Sequence, residues 1–139
     1  MAVSLSRVVG FHARHHLSRA DWPPEKNREV FGPLSDPAGH AHDYRCVVTV
    51  RGPITGSCGM VMDLAALDRI LQEEVVAPFD GKHLNHVAGF ADGRMLPTCE
   101  AIAAQVYTRV AARLPAGVAL ERVRIVEDPT LYADCTGLP

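Results

Sequence analysis

Residues 3–15 alternate. Val3, Leu5, Val9, Phe11 and Ala13 share one parity, and His15 closes the run on the same face. A period of two is the pattern of a half-buried strand and not of a helix, whose apolar positions recur every 3.6 residues. A second strand is expected from His40 to Val50, where Tyr44, Val47, Val48, Thr49 and Val50 favour pleated backbone. Between the two runs, residues 18–39 contain Pro23, Pro24, Pro33 and Pro37 and are expected to form one long loop.

The rest of the chain is punctuated more sharply. "RGPITGSCG" (51–59) is turn material, with a return strand expected through Met60–Met62. Asp63 can cap a helix over 64–76 whose Leu64, Leu67, Leu71 and Val75 lie on one stripe, and Pro78 is expected to end it. Residues 79–97 read as irregular. Thr98 caps a second helix over 99–114, with Ile102, Val106, Val110 and Leu114 facing one way and Pro115 and Gly117 stopping it. Strands follow at 119–127 and 131–136, joined by "DPT". The order β-β-α-α-β-β predicts an antiparallel sheet with both helices on one face, an α+β domain spanning residues 1–139.

Composition narrows the function classes. A net charge of −2 leaves no basic footprint for nucleic acid or an anionic membrane surface. No apolar run is long enough to span a bilayer, and the N-terminus has no secretory h-region. Cys46, Cys58, Cys99 and Cys135 form no C-x-x-C pair and are expected as reduced thiols of a cytoplasmic protein.

Histidine is the unusual component: five of the seven lie between His12 and His42. On a strand, side chains i and i+2 point the same way, ~7 Å apart at the backbone, so the imidazoles of His40 and His42 can converge on one ion. His12, His15 and His16 end the neighbouring strand, and His15 has the parity to complete the set. Three histidines without a fourth protein ligand describe an open zinc site. The plainer reading is a pair of polar residues at a strand mouth. A cupin fits poorly, because Asp43, Tyr44, Arg45 and Cys46 follow the pair. Glu127 shares parity with Val123 and Ile125. It either leaves for solvent at the strand end or offers a carboxylate to the N–H edge of a guanidine-like or aminopyrimidine ligand.

These residues, in this order, resemble the 6-pyruvoyl-tetrahydropterin synthase / 6-carboxytetrahydropterin synthase family. "FHARHHL" is similar to its F-x-A-x-H-x-L, "DPAGHAHDYRC" to its G-H-G-H-N-Y strand, and "GMVMDL" to the lead-in of its first helix. "LPTCEAIA" resembles its P-T-x-E-N, and "VRIVED" its glutamate strand. The resemblance implies the tunnelling (T-) fold, with subunits joining their sheets into a barrel as a trimer or as a homo-hexamer, a dimer of trimers. It implies Zn2+ on His15, His40 and His42, a small-molecule pterin such as 7,8-dihydroneopterin triphosphate held by Glu127 with Thr98 and Cys99, and lyase chemistry.

Two positions depart from the pattern. Leu34 stands where the resemblance implies a catalytic cysteine, and Gly81 where it implies the histidine of an Asp–His pair, although Asp80 is kept. Proton transfer needs another group within reach: His83, or Asp36 or Ser35. Cys46, Cys58 and Cys99 also read as small buried residues, Tyr44 as a sheet residue and Glu100 as a first-turn acid. The expected function is a zinc-dependent pterin lyase with altered proton-transfer groups, Asp80 and His83 being its catalytic candidates. The alternatives are a catalytically degenerate binder of a pterin or purine-like ligand, and a zinc enzyme of the same fold with a non-pterin substrate.

Overall fold

The computed structural model describes residues 1–137. In chain order the elements are β1 (Ala2–His15), α1 (Pro24–Phe31), β2 (His40–Pro53), α2 (Leu64–Leu71), α3 (Ala77–Phe79), β3 (Lys82–His83), α4 (Cys99–Ala111), β4 (Ala119–Asp128) and β5 (Leu131–Cys135). They build one sheet in the order β3-β1-β2-β4-β5. β1 and β2 form a long antiparallel ladder that starts with Ala2 opposite Pro53 and ends with His15 opposite His40. β4 pairs antiparallel with β2, and β5 with β4. β3 runs parallel to β1, so the sheet is mixed rather than wholly antiparallel.

One face of the sheet is buried. Phe11 and Ala13 of β1, Tyr44, Cys46 and Val48 of β2, and Val123 and Ile125 of β4 pack against Leu67, Leu71, Val75, Ile102 and Val106 of the helical layer. Capping sets where that layer starts. Asp63 Oδ2 accepts from the Ala66 N–H at 3.2 Å, and Thr98 Oγ1 accepts from Ala101 N–H at 3.2 Å. Each cap contributes ~1 kcal/mol.

Three expectations need correction. The presumed loop 18–39 contains α1 and a 3-10 turn over Gly32–Ser35. Its prolines flank the helix: Pro24 occupies the first turn, where a missing N–H costs nothing, and Gly32–Pro33 stop it. The return strand through Met60–Met62 reduces to one bridge, Thr55 to Met60, because Gly56 and Gly59 turn the backbone with φ of 63° and 71°. Pro78 does not end the helix. A wide π turn over Gln72–Val76 carries the chain into α3, which includes Pro78. Pro78 has no N–H for the Glu74 carbonyl four residues back, and Arg109 Nη2 donates to that oxygen instead at 2.8 Å. Among the described residues, no helix is long and apolar enough to cross a membrane.

Candidate metal centre and ligand pocket

The end of the β1–β2 ladder makes the site. His15 faces the helical layer by parity and is 3% exposed, and its register partner His40 and the next same-face residue His42 lie beside it. One nitrogen from each of the three imidazoles falls within 4.8 Å of the other two. Their rings meet edge to face, with centroids 4.6, 5.2 and 4.9 Å apart.

Backbone beyond the sheet fixes one tautomer. His15 Nδ1 lies 2.8 Å from the Pro97 carbonyl, the residue before the α4 cap. A carbonyl only accepts, so Nδ1 carries the proton and Nε2 keeps its lone pair. Burial pushes the His15 imidazole below its ordinary 6.5; the Pro97 hydrogen bond opposes this, and His42 adds to it. His40 is also lowered, first by burial and then by His15 and His42. Neutral imidazole is the form that binds a metal. His42 Nε2 is buried and has no hydrogen-bond partner among the described residues, which is costly for a polar atom unless a ligand takes it. The donor set therefore fits a borderline-soft cation such as zinc with an open position.

Glu127 borders the three imidazoles. It does not escape to solvent: its carboxylate is 12% exposed, with oxygens 3.4 Å from His15 Nε2 and 3.8 Å from His42 Nε2. Cys99 is buried nearby, and burial together with the Glu127 and Glu100 charges pushes its thiol up to about 12. That thiol is no nucleophile at neutral pH. The Thr98 hydroxyl is engaged as the α4 cap.

The proton-transfer candidates lie apart from this group. Asp80 sits at the sheet edge, where Oδ1 accepts the His12 N–H at 2.9 Å and the following Gly81 N–H bonds back to the His12 carbonyl. Gly81 has a φ of 71°, a conformation that disfavours any side chain. His83 Nε2 lies 3.2 Å from the Pro37 carbonyl, and its ring stacks on His86 at 4.3 Å. Leu34 is 44% exposed in the 3-10 turn. Sequence reasoning missed two contributors, Tyr44 and Pro97. Tyr44 is wholly buried with its hydroxyl 3.4 Å from His15 Nδ1, and its even parity with His40 and His42 was the available signal. For the Pro97 carbonyl the sequence carried none.

An α+β sheet with two helices over one face and a triple-histidine cluster beside a largely buried glutamate side chain defines a tunnelling-fold domain. The family model for 6-pyruvoyl tetrahydropterin synthase matches residues 4–137. The 6-pyruvoyl tetrahydrobiopterin synthase of Pongo abelii is 39% identical over 124 residues, 88% of this chain and 83% of that protein. The Homo sapiens protein of that name is 38% identical over the same shares. The structure of Caenorhabditis elegans 6-pyruvoyl tetrahydropterin synthase superposes with a TM-score of 0.90 at 27% identity, covering 99% of this chain and 97% of that one. The chain belongs to the 6-pyruvoyl tetrahydropterin synthase family, and a pterin-processing, tetrahydropterin synthase-like role follows from that membership.

Proposed function

We propose that this chain is a zinc-dependent lyase that acts on 7,8-dihydroneopterin triphosphate or a pterin with a related side chain. The observation that carries the reading is the convergence of three imidazole nitrogens within 4.8 Å, bordered by a largely buried carboxylate. Zinc on His15, His40 and His42 would supply Lewis acidity that lowers the pKa of vicinal side-chain hydroxyls. The protein's own groups do the rest. Glu127 accepts two N–H donors from the pterin edge and fixes its orientation. Tyr44 and Pro97 hold the His15 ring in place. The carbonyl of Pro37 takes the His83 Nε2–H, which leaves the buried Nδ1 as the acceptor nitrogen of that ring. Asp80, ahead of Gly81 and Lys82 in the chain, remains as the carboxylate of this segment.

The family match from residue 4 to residue 137 supports reading residues 1–139 as one domain. The free edge of β5 and the largely unpaired edge of β1 suit a homo-oligomer with joined sheets, a homo-hexamer in this proposal, working in the cytoplasm. The test is incubation of zinc-loaded protein with 7,8-dihydroneopterin triphosphate, with products identified by mass spectrometry. Conversion of the pterin side chain is expected. His40→Ala and His42→Ala should each remove stoichiometric zinc, and full zinc content in either variant would overturn the ligand assignment. Leu34 and Gly81 favour a second reading, a non-catalytic pterin binder. That reading wins if pterin binds, is weakened by Glu127→Ala, and is recovered unchanged. Stoichiometric zinc without affinity for any pterin would point instead to a different substrate.

A further inference from the structure

On the sheet face away from the helices, His12 of β1 stands opposite Asp43 of β2. His12 Nδ1 and Asp43 Oδ1 are 2.7 Å apart. The carboxylate accepts, so Nδ1 carries the proton and His12 Nε2 is left as a free acceptor. A second carboxylate, Asp80, is bound to the His12 backbone N–H at 2.9 Å. Arg45 joins these three around a concavity of about 300 Å3. The His12 side chain is 60% exposed and that of Asp43 92%, so a ligand can reach both.

We infer that His12, oriented by Asp43 and seated against Asp80, is a catalytic base of this protein and supplies the imidazole that Gly81 cannot. The inference rests on the pterin-lyase reading. Asp43 stands where the resembled motif carries asparagine, and Gly81 where it implies histidine. The carboxylate–imidazole pair is thus rebuilt one strand over, around the retained Asp80. In the step assigned to it, His12 Nε2 takes the proton of a substrate side-chain hydroxyl. The bonding pair stays on oxygen, and the same proton returns to the product, leaving the imidazole neutral.

The geometry also says whose substrate. His12 lies on the opposite face from His15, His40 and His42 and about 10 Å back along the strand from His15. It cannot reach the pocket of its own chain through the sheet. His12 therefore serves the triple-histidine pocket of a second copy, and each site is incomplete without its neighbour.

The experiment uses the zinc-loaded full chain and 7,8-dihydroneopterin triphosphate. Wild-type binding and turnover are measured first; if there is no turnover, the lyase reading and this inference fail together, before any variant is made. Given turnover, His12→Ala and the more conservative His12→Gln should lower kcat about 10²- to 10³-fold, with zinc content and pterin affinity unchanged. Co-expression of His12→Ala with His40→Ala then tests the second copy. His12→Ala alone keeps only that residual rate and His40→Ala alone lacks its zinc site, whereas mixed assemblies should recover roughly a quarter of wild-type activity, because half the triple-histidine clusters and half the bases are intact. Wild-type kcat in both His12 variants would overturn the catalytic role. Absence of complementation in assemblies proven to be mixed would overturn the action on a second copy.

Discussion

On the proposed function, Glu127→Gln should separate ligand recognition from metal binding in a single substitution. The side chain keeps its length and shape but loses its charge and one of its two acceptors. The carboxylate is 12% exposed, so water has little room to replace what is lost. Two charge-assisted hydrogen bonds of ~1.5–3 kcal/mol each become one neutral bond and one donor facing donors. The loss in binding should be about 2–5 kcal/mol, or roughly 30- to 4,000-fold in Kd at 1.4 kcal/mol per decade. Zinc stoichiometry should not change, because the three imidazole nitrogens converge without Glu127. Titration of zinc-loaded protein with neopterin, followed by pterin fluorescence, gives Kd, and elemental analysis of the same sample gives zinc. A pterin Kd within threefold of wild type would refute the anchoring role. Loss of zinc with retained pterin affinity would mean that Glu127 belongs to the metal set instead.

Three further outcomes follow from particular contacts. Arg109→Met should cost about 2 kcal/mol in urea unfolding, since it strips the charged donor from the Glu74 carbonyl and the cation from the Phe79 face; a loss below 0.5 kcal/mol (roughly the scatter of a surface change) would dismiss the Pro78 argument. Gly39→Ala places a Cβ 2.7 Å from the His15 carbonyl oxygen at a φ of 73°. It should destabilise by about 2 kcal/mol and weaken zinc uptake, measured by melting and by metal analysis. The metal-free protein should lose stability on acidification, because burial holds His15, His16 and His40 below 6.5. The unfolded chain takes up protons first: stability is unaffected above about pH 6.5 and falls as pH drops below it, until the folded imidazoles also titrate. A urea midpoint in chelator at pH 5.5 equal to or above that at pH 7.5 would contradict this.

What was legible in the sequence was what repeats. β1 announced itself through thirteen residues of alternation, and the same parity identified His15 as the partner of His40 and His42. α2 and α4 were legible because their caps and stripes agree. β3 was not, since two residues carry no period. α1 was hidden by prolines that mark its ends, read instead as a loop through their number. The contacts that finish the site were beyond any local pattern. The Pro97 carbonyl meets His15 across 82 positions, and Arg109 meets Glu74 across 35. Both involve backbone oxygens, which any residue could have supplied.

The candidate site divides between positions carried on strands and positions carried on turns, and the division has a physical basis. The three histidines belong to a hydrogen-bonded ladder whose register runs unbroken for the length of β1, so moving one of them means moving a strand. Leu34 sits in a 3-10 turn and Gly81 in a left-handed turn at the sheet edge. A side chain at either place lies outside the core, although the positive φ of Gly81 strains any residue other than glycine there. Asp80 keeps its place because its carboxylate ties the turn to the backbone of His12. That tie is structural whatever else Asp80 does. It also places a carboxylate around the same concavity as the imidazole that this chain carries and the resembled motif leaves open. A change in the proton-transfer groups alone would leave metal binding intact, so zinc content and turnover should respond to different residues.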